Sequence, residues 1–132
     1  MHNSHKNGAV SEYRAATWFS MQGWEVYWSN LGQSAVDFII SKNSEVLTVQ
    51  VKTAFRVPKD GDIKYIKCNL SHGHKKGKLY RDNTFNLLTV CYGDDRIWVI
   101  PIEYIPHNLT QFSIWNHLKD TGYDEWLVKT KT

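Results

Sequence analysis

Two runs rich in β-branched residues, Ala35 to Ser41 and Glu45 to Thr53, are separated by Lys42, Asn43 and Ser44. Runs of this length around a short polar break predict a β-hairpin. Both are apolar at adjacent as well as alternate positions, so both faces of the hairpin are expected to lie under other layers. Three polar side chains interrupt this background: Asp37 in Ala35-Val36-Asp37-Phe38-Ile39-Ile40, and Gln50 and Lys52 in Val49-Gln50-Val51-Lys52. Residues two apart on a strand share a face, so Gln50 and Lys52 project together. A two-residue turn at Asn43-Ser44 pairs Lys42 with Glu45 and sets Asp37 opposite Gln50, whereas a three-residue turn shifts the pairing by one position. On an exposed face the set is an ordinary cross-strand polar pair, worth under about 1 kcal/mol. In a buried hairpin it needs a chemical reason.

The remaining patterns place this hairpin in a larger frame. Residues 8–22 predict a helix stopped by Gly23. On a wheel at about 100° per residue, Ala9, Ala15, Ala16 and Phe19 form its apolar stripe, with Tyr13 at the edge. Glu12 falls in the middle of that stripe. Residues 24–28 read as a short aromatic strand and 62–70 as another, followed by a glycine- and lysine-rich loop over 71–78. Residues 85–92 and 96–100 form a second hairpin around Gly93-Asp94-Asp95. Thr110 to Lys119 fits a helix, but Gln111-Phe112-Ser113-Ile114 also fits a strand. This order predicts an α/β fold, with helices flanking a mixed central sheet. A chain of 132 residues suits one domain, with a core over about 8–105 and a C-terminal extension over 106–132.

Glu12, Asp37, the Gln50 side-chain oxygen and the Val51 backbone carbonyl make an all-oxygen set of the kind a hard cation such as Mg²⁺ takes, with water completing the shell. Lys52, two residues beyond Gln50, stands where an amine can orient an attacking water and offset charge on a phosphoryl group. This is the donor set of metal-assisted phosphodiester hydrolysis. Charge is also unevenly spread. Residues 52–81 carry nine basic side chains against two acids, a local charge of +7 in a chain of net +3, which leaves −4 for the rest. Arg56, Lys59, Lys75, Lys76, Lys78 and Arg81 are the candidate phosphate contacts. Charge alone does not separate such a surface from solvated lysine-rich loops.

Asp37, twelve intervening residues, then Gln50-Val51-Lys52, with Glu12 on a preceding helix, resembles the PD-(D/E)XK nuclease superfamily. Within it the pattern is most similar to the group I intron-encoded homing endonucleases, whose motif also reads Q-x-K. Val49-Gln50-Val51-Lys52-Thr53-Ala54, the later Tyr80, and Ile97-Trp98-Val99-Ile100-Pro101-Ile102 share in the resemblance, which covers roughly residues 8–105. Archaeal Holliday junction resolvases are similar in the same helix–hairpin core. The resemblance implies a restriction-endonuclease-like core and a Mg²⁺-dependent endonuclease on double-stranded DNA, with Mn²⁺ able to substitute. Glu12, Asp37, Gln50 and Lys52 would be its catalytic residues, and Glu12, Asp37, Gln50 and Val51 its metal ligands. Gln50 departs from the acid that most of the superfamily carries, which lowers the charge of the metal shell from −3 to −2. Two other readings stand beside this one: a junction-selective resolvase, and a DNA-binding module whose nuclease site has decayed.

Other chemistries find less support. Cys68, His72 and His74, with Cys91 as a further candidate, suggest zinc, but there is no second Cys-x-x-Cys pair. No Ser–His–Asp arrangement or glycine-rich phosphate loop stands out. No run reaches the roughly 20 apolar residues of a membrane helix, and Met1 to Lys6 does not read as a secretory signal. The two cysteines read as free thiols of a reducing, cytoplasmic compartment. Six tryptophans are many for this length. Because one site cuts one strand, cleavage of a duplex predicts a homo-oligomer, dimer or tetramer, with Trp115 or Trp126 at its interface.

Overall fold

The computed structural model describes residues 3–29, 36–59, 62–70, 85–93, 96–105, 111–116 and 123–129. Helix α1 (Asn3–Met21) begins five residues before the sequence-predicted start at residue 8. It ends where glycine requires. Gly23 adopts φ 95°; its N–H donates to the Ser20 carbonyl at 3.0 Å, and that of Trp24 reaches back to Phe19 at 3.1 Å. This crossed pair satisfies the last carbonyls and stops the helix. The Lys42 amine donates to the Gln22 carbonyl at 2.8 Å, adding a cation at the negative end of the helix.

After strand β1 (Glu25–Trp28), β2 (Phe38–Lys42) and β3 (Glu45–Thr53) form the expected hairpin. Asn43 and Ser44 take φ 51° and 69°, the left-handed pair that a two-residue turn uses to follow strand twist. Lys42 therefore lies opposite Glu45, and Phe38 opposite Val49. Strand β6 (Leu87–Tyr92) runs parallel to β3, and β7 (Arg96–Pro101) antiparallel to β6. Strand β9 (Leu127–Lys129) joins β7, so the main sheet reads β1-β2-β3-β6-β7-β9. It is mixed, as expected.

The layers over it differ from expectation. Helix α1 covers one face, where Ala15, Ala16 and Phe19 pack on Phe38, Ile40, Val49, Val51, Cys91 and Ile97. Among the described residues the other face is covered by a second sheet, where helices were expected. Strands β4 (Phe55–Lys59), β5 (Asp62–Asn69) and β8 (Gln111–Asn116) form it in the order β4-β5-β8. Ile66, Cys68, Leu70 and Ile114 from this side meet Leu88, Val90, Trp98 and Ile100 of the main sheet. The alternating pattern of β5 and the strand alternative at 111–114 are the sequence traces of this layer. In the C-terminal extension, β8 and β9 each complete a sheet. Ala9, expected in the buried stripe, is exposed, because the helix contacts the sheet through Ala15, Ala16 and Phe19 and through Ser11. No described helix is long and apolar enough to cross a membrane.

Candidate active site

Asp37 stands just before β2, where the hairpin ladder ends. Its backbone N–H donates to the Val49 carbonyl at 2.8 Å, and its carbonyl accepts the Ser29 N–H at 3.1 Å. The paired register closes at Phe38 opposite Val49, and Asp37 lies one residue outside it. Beyond this point the next N–H of β3 has no strand partner in β2, and the Asp37 Oδ2 takes that place, accepting the Val51 N–H at 2.7 Å. The carboxylate is thereby fixed beside the backbone between Gln50 and Lys52.

Val49 and Val51 pack toward α1, so Gln50 and Lys52 turn to the opposite face by alternation. Gln50 is 9% exposed. Its Oε1 is buried and finds no hydrogen-bond partner among the described residues. An acceptor in that state costs roughly 1–3 kcal/mol unless something positive meets it. Lys52 is partly buried. Burial is the main cause that lowers its amine below the ordinary lysine value, opposed by the nearby Cys68 thiol and the Asp37 charge. Cys68 is itself pushed up to about 12 by burial, so it stays a neutral thiol beside the amine.

Glu12 approaches from α1. Burial and then the charge of Asp37 raise its carboxyl above the usual range. Asp37 is raised too, because burial outweighs the Val51 N–H and the Lys52 charge. Burial is thus the main cause that disfavours the charged form of both carboxyls. Among the described residues no three His, Cys, Asp or Glu side chains converge on one point.

The structure thus sets the Asp37 carboxylate against the Val51 N–H, within electrostatic reach of Glu12 and of Lys52, and Gln50 precedes Val51 with its Oε1 unpartnered. In the sequence Cys68 stands out only as a zinc candidate, and its position against Lys52 becomes visible only once β5 is folded over β3. Tyr123, from the extension, also reaches this neighbourhood: burial and then Cys68 raise its hydroxyl. Of the six candidate phosphate contacts, Arg56 is exposed on β4 and Lys59 ends that strand. Lys75, Lys76, Lys78 and Arg81 lie outside the described residues, as do Tyr80, His72 and His74. Lys67, in the same basic segment, holds its amine 5.3 Å from the Tyr65 ring.

A helix-capped mixed sheet of this kind is the fold of a known nuclease. The chain superposes on the bacterial homing endonuclease I-Ssp6803I with a TM-score of 0.76 over 96% of this chain and 89% of that one, at 15% sequence identity. By sequence it is 34% identical over 99 residues to protein 5.3 of Escherichia phage T7, covering 72% of this chain and 78% of the phage protein. The chain belongs to the family of that phage protein. No protein-family model matches it.

Proposed function

We propose that this protein is a divalent-metal-dependent endonuclease of the PD-(D/E)XK type that hydrolyses double-stranded DNA. The Asp37 carboxylate held against the Val51 N–H, one residue along from the buried, unpartnered Gln50 Oε1, carries this reading. The donors fit Mg²⁺, which takes oxygen ligands and keeps several waters. Glu12, Asp37, the Gln50 oxygen and the Val51 carbonyl would hold it, and Mn²⁺ would serve in its place. Bound there, the ion would polarise a phosphoryl oxygen and lower the pKa of a coordinated water.

The chain's own groups do the rest. Asp37 is locked by the Val51 N–H, so it need not reorganise when charge arrives, which is the preorganisation that electrostatic catalysis requires. Lys52 supplies a cation whose amine sits in a low-dielectric setting, where it bears strongly on an approaching phosphate and on the water that attacks it. Arg56, Lys59, Lys75, Lys76, Lys78 and Arg81 would grip the backbone along the basic segment. A single site of this kind cuts one strand, so a double-strand break needs at least two copies of the chain. The likeness in fold to a homing endonuclease supports the same substrate class. Incubating supercoiled plasmid and a four-way junction with the protein in Mg²⁺ or Mn²⁺ tests the reading: plasmid cutting supports it, junction-only cutting makes the protein a resolvase, and binding without cutting makes it a DNA-binding module.

A further inference from the structure

Ser11 immediately precedes Glu12, yet it is 3% exposed. Its hydroxyl lies 2.7 Å from that of Thr53, the residue that follows Lys52. Its carbonyl accepts the Cys91 thiol at 3.6 Å. Thr53 and Cys91 are themselves partners across the parallel β3–β6 pair, and the Cys91 carbonyl accepts the Ala54 N–H at 2.8 Å. One buried serine thus joins α1, β3 and β6 at a single point. Serine is a mediocre helix-interior residue, and a buried hydroxyl must be partnered to be tolerated. Its presence here calls for a specific use.

The chain geometry indicates one: Ser11 directly precedes Glu12, and its partner Thr53 directly follows Lys52. Apolar packing anchors α1 through Ala15, Ala16 and Phe19, all downstream of Glu12. Two hydrogen bonds tie Ser11 to the sheet beside Glu12, and the one to Thr53 ends one residue from Lys52. We infer that the Ser11–Thr53 hydrogen bond sets the position of Glu12 relative to Asp37 and Lys52, which makes Ser11 and Thr53 positioning residues of the cation site. This rests on the proposed nuclease reading. The bond is part-buried, at 2.7 Å, and its two ends adjoin Glu12 and Lys52 in the chain. Partners that orient metal ligands in this way typically change metal affinity by about 10–100-fold when removed.

The test is Mn²⁺ binding to the full-length chain by calorimetry, with thermal melting of the same samples. Glu12→Gln should weaken Mn²⁺ binding most. Ser11→Ala and Thr53→Val should each weaken it by about tenfold, and the double variant no further than either alone, since they share one hydrogen bond. Ser11→Thr and Thr53→Ser, which keep a hydroxyl at each end, should restore it. If Ser11→Ala does not fold, Thr53→Val reads the same bond with a side chain of the same shape. Lower melting temperatures with unchanged Mn²⁺ affinity in Ser11→Ala or Thr53→Val, while Glu12→Gln binds weakly, would make the bond merely structural and overturn the inference. Unchanged affinity in Glu12→Gln would instead remove the site on which the inference rests.

Discussion

The Asp37 carboxylate accepts the Val51 N–H at 2.7 Å, so an acid from the end of one strand stands in for a missing strand partner on the next. Its geometry is set by backbone, while burial raises its pKa. A group held in place against its own electrostatic preference is one that folding alone would not select. Asp37→Asn keeps an oxygen for the Val51 N–H and removes the charge. The metal-free variant is therefore expected to be more stable than the parent by about 1 kcal/mol, in the range found when strained functional groups are replaced. The same relation fixes the sign of the pH dependence. Glu12 and Asp37 have folded pKa values above their unfolded ones, so the folded state binds protons more readily. Without metal, stability should rise as pH falls from neutrality through these raised values. Differential melting curves across that range check both points.

Gln50→Glu adds a negative charge where an amide oxygen now lies buried without a partner. It should tighten Mn²⁺ binding by about tenfold, or about 1.4 kcal/mol, and lower the stability of the metal-free protein. Calorimetric titration checks this. Unchanged affinity would mean that the Gln50 oxygen faces something other than the cation.

The hairpin and its turn were legible because they depend on strong local signals. The apolar runs allow only strands, and Asn43-Ser44 accepts the left-handed backbone that fixes Lys42 opposite Glu45. Glu12 drew attention as an acid inside a helical apolar stripe, and it lies partly buried where the Asp37 charge reaches it. The second sheet was not legible. Strand β4 holds Arg56 and Pro58, with a register shift between Val57 and Pro58, and neither residue advertises a strand. Strand β8 is ambiguous alone and is decided by pairing with β5, whose residues Tyr65 to Asn69 face Asn116 to Gln111. Helices were expected on both faces because a sheet face does not state what covers it. The Ser11–Thr53 hydrogen bond joins residues 42 apart, and local sequence carries no trace of it.

The basic segment makes a separate prediction. Neutralising Lys75, Lys76 and Lys78 together should flatten the salt dependence of duplex binding, by about 0.9 log unit of slope for each phosphate that these amines neutralise in the parent. Arg56→Ala should lower the slope by about one such step, as Arg56 is exposed on β4. Binding measured across a salt series checks this, and a slope equal to that of the parent would place the DNA on another surface.

Assembly can be measured directly. A duplex cut by single-strand sites requires more than one copy, so light scattering should report a multiple of 15.4 kDa at micromolar concentration or on DNA. Trp126, partly buried with its ring 5.0 Å from that of Tyr104, should then shift its fluorescence on dilution if it lies near the interface. The Trp115 side chain lies outside the described residues. A monomer both free and bound would make the protein a nickase.

The central claim, that Glu12, Asp37, Gln50 and Lys52 form a metal-dependent nuclease site, is tested most directly by plasmid cleavage run beside DNA binding. In Mg²⁺ or Mn²⁺ the parent should convert supercoiled plasmid to open or linear forms. Lys52→Ala and Asp37→Asn should bind DNA with near-parent affinity and cut at least about 100-fold more slowly, since these groups act mainly on the transition state. Cleavage by either variant at the parent rate, or no cleavage by the parent in either metal, would contradict the account.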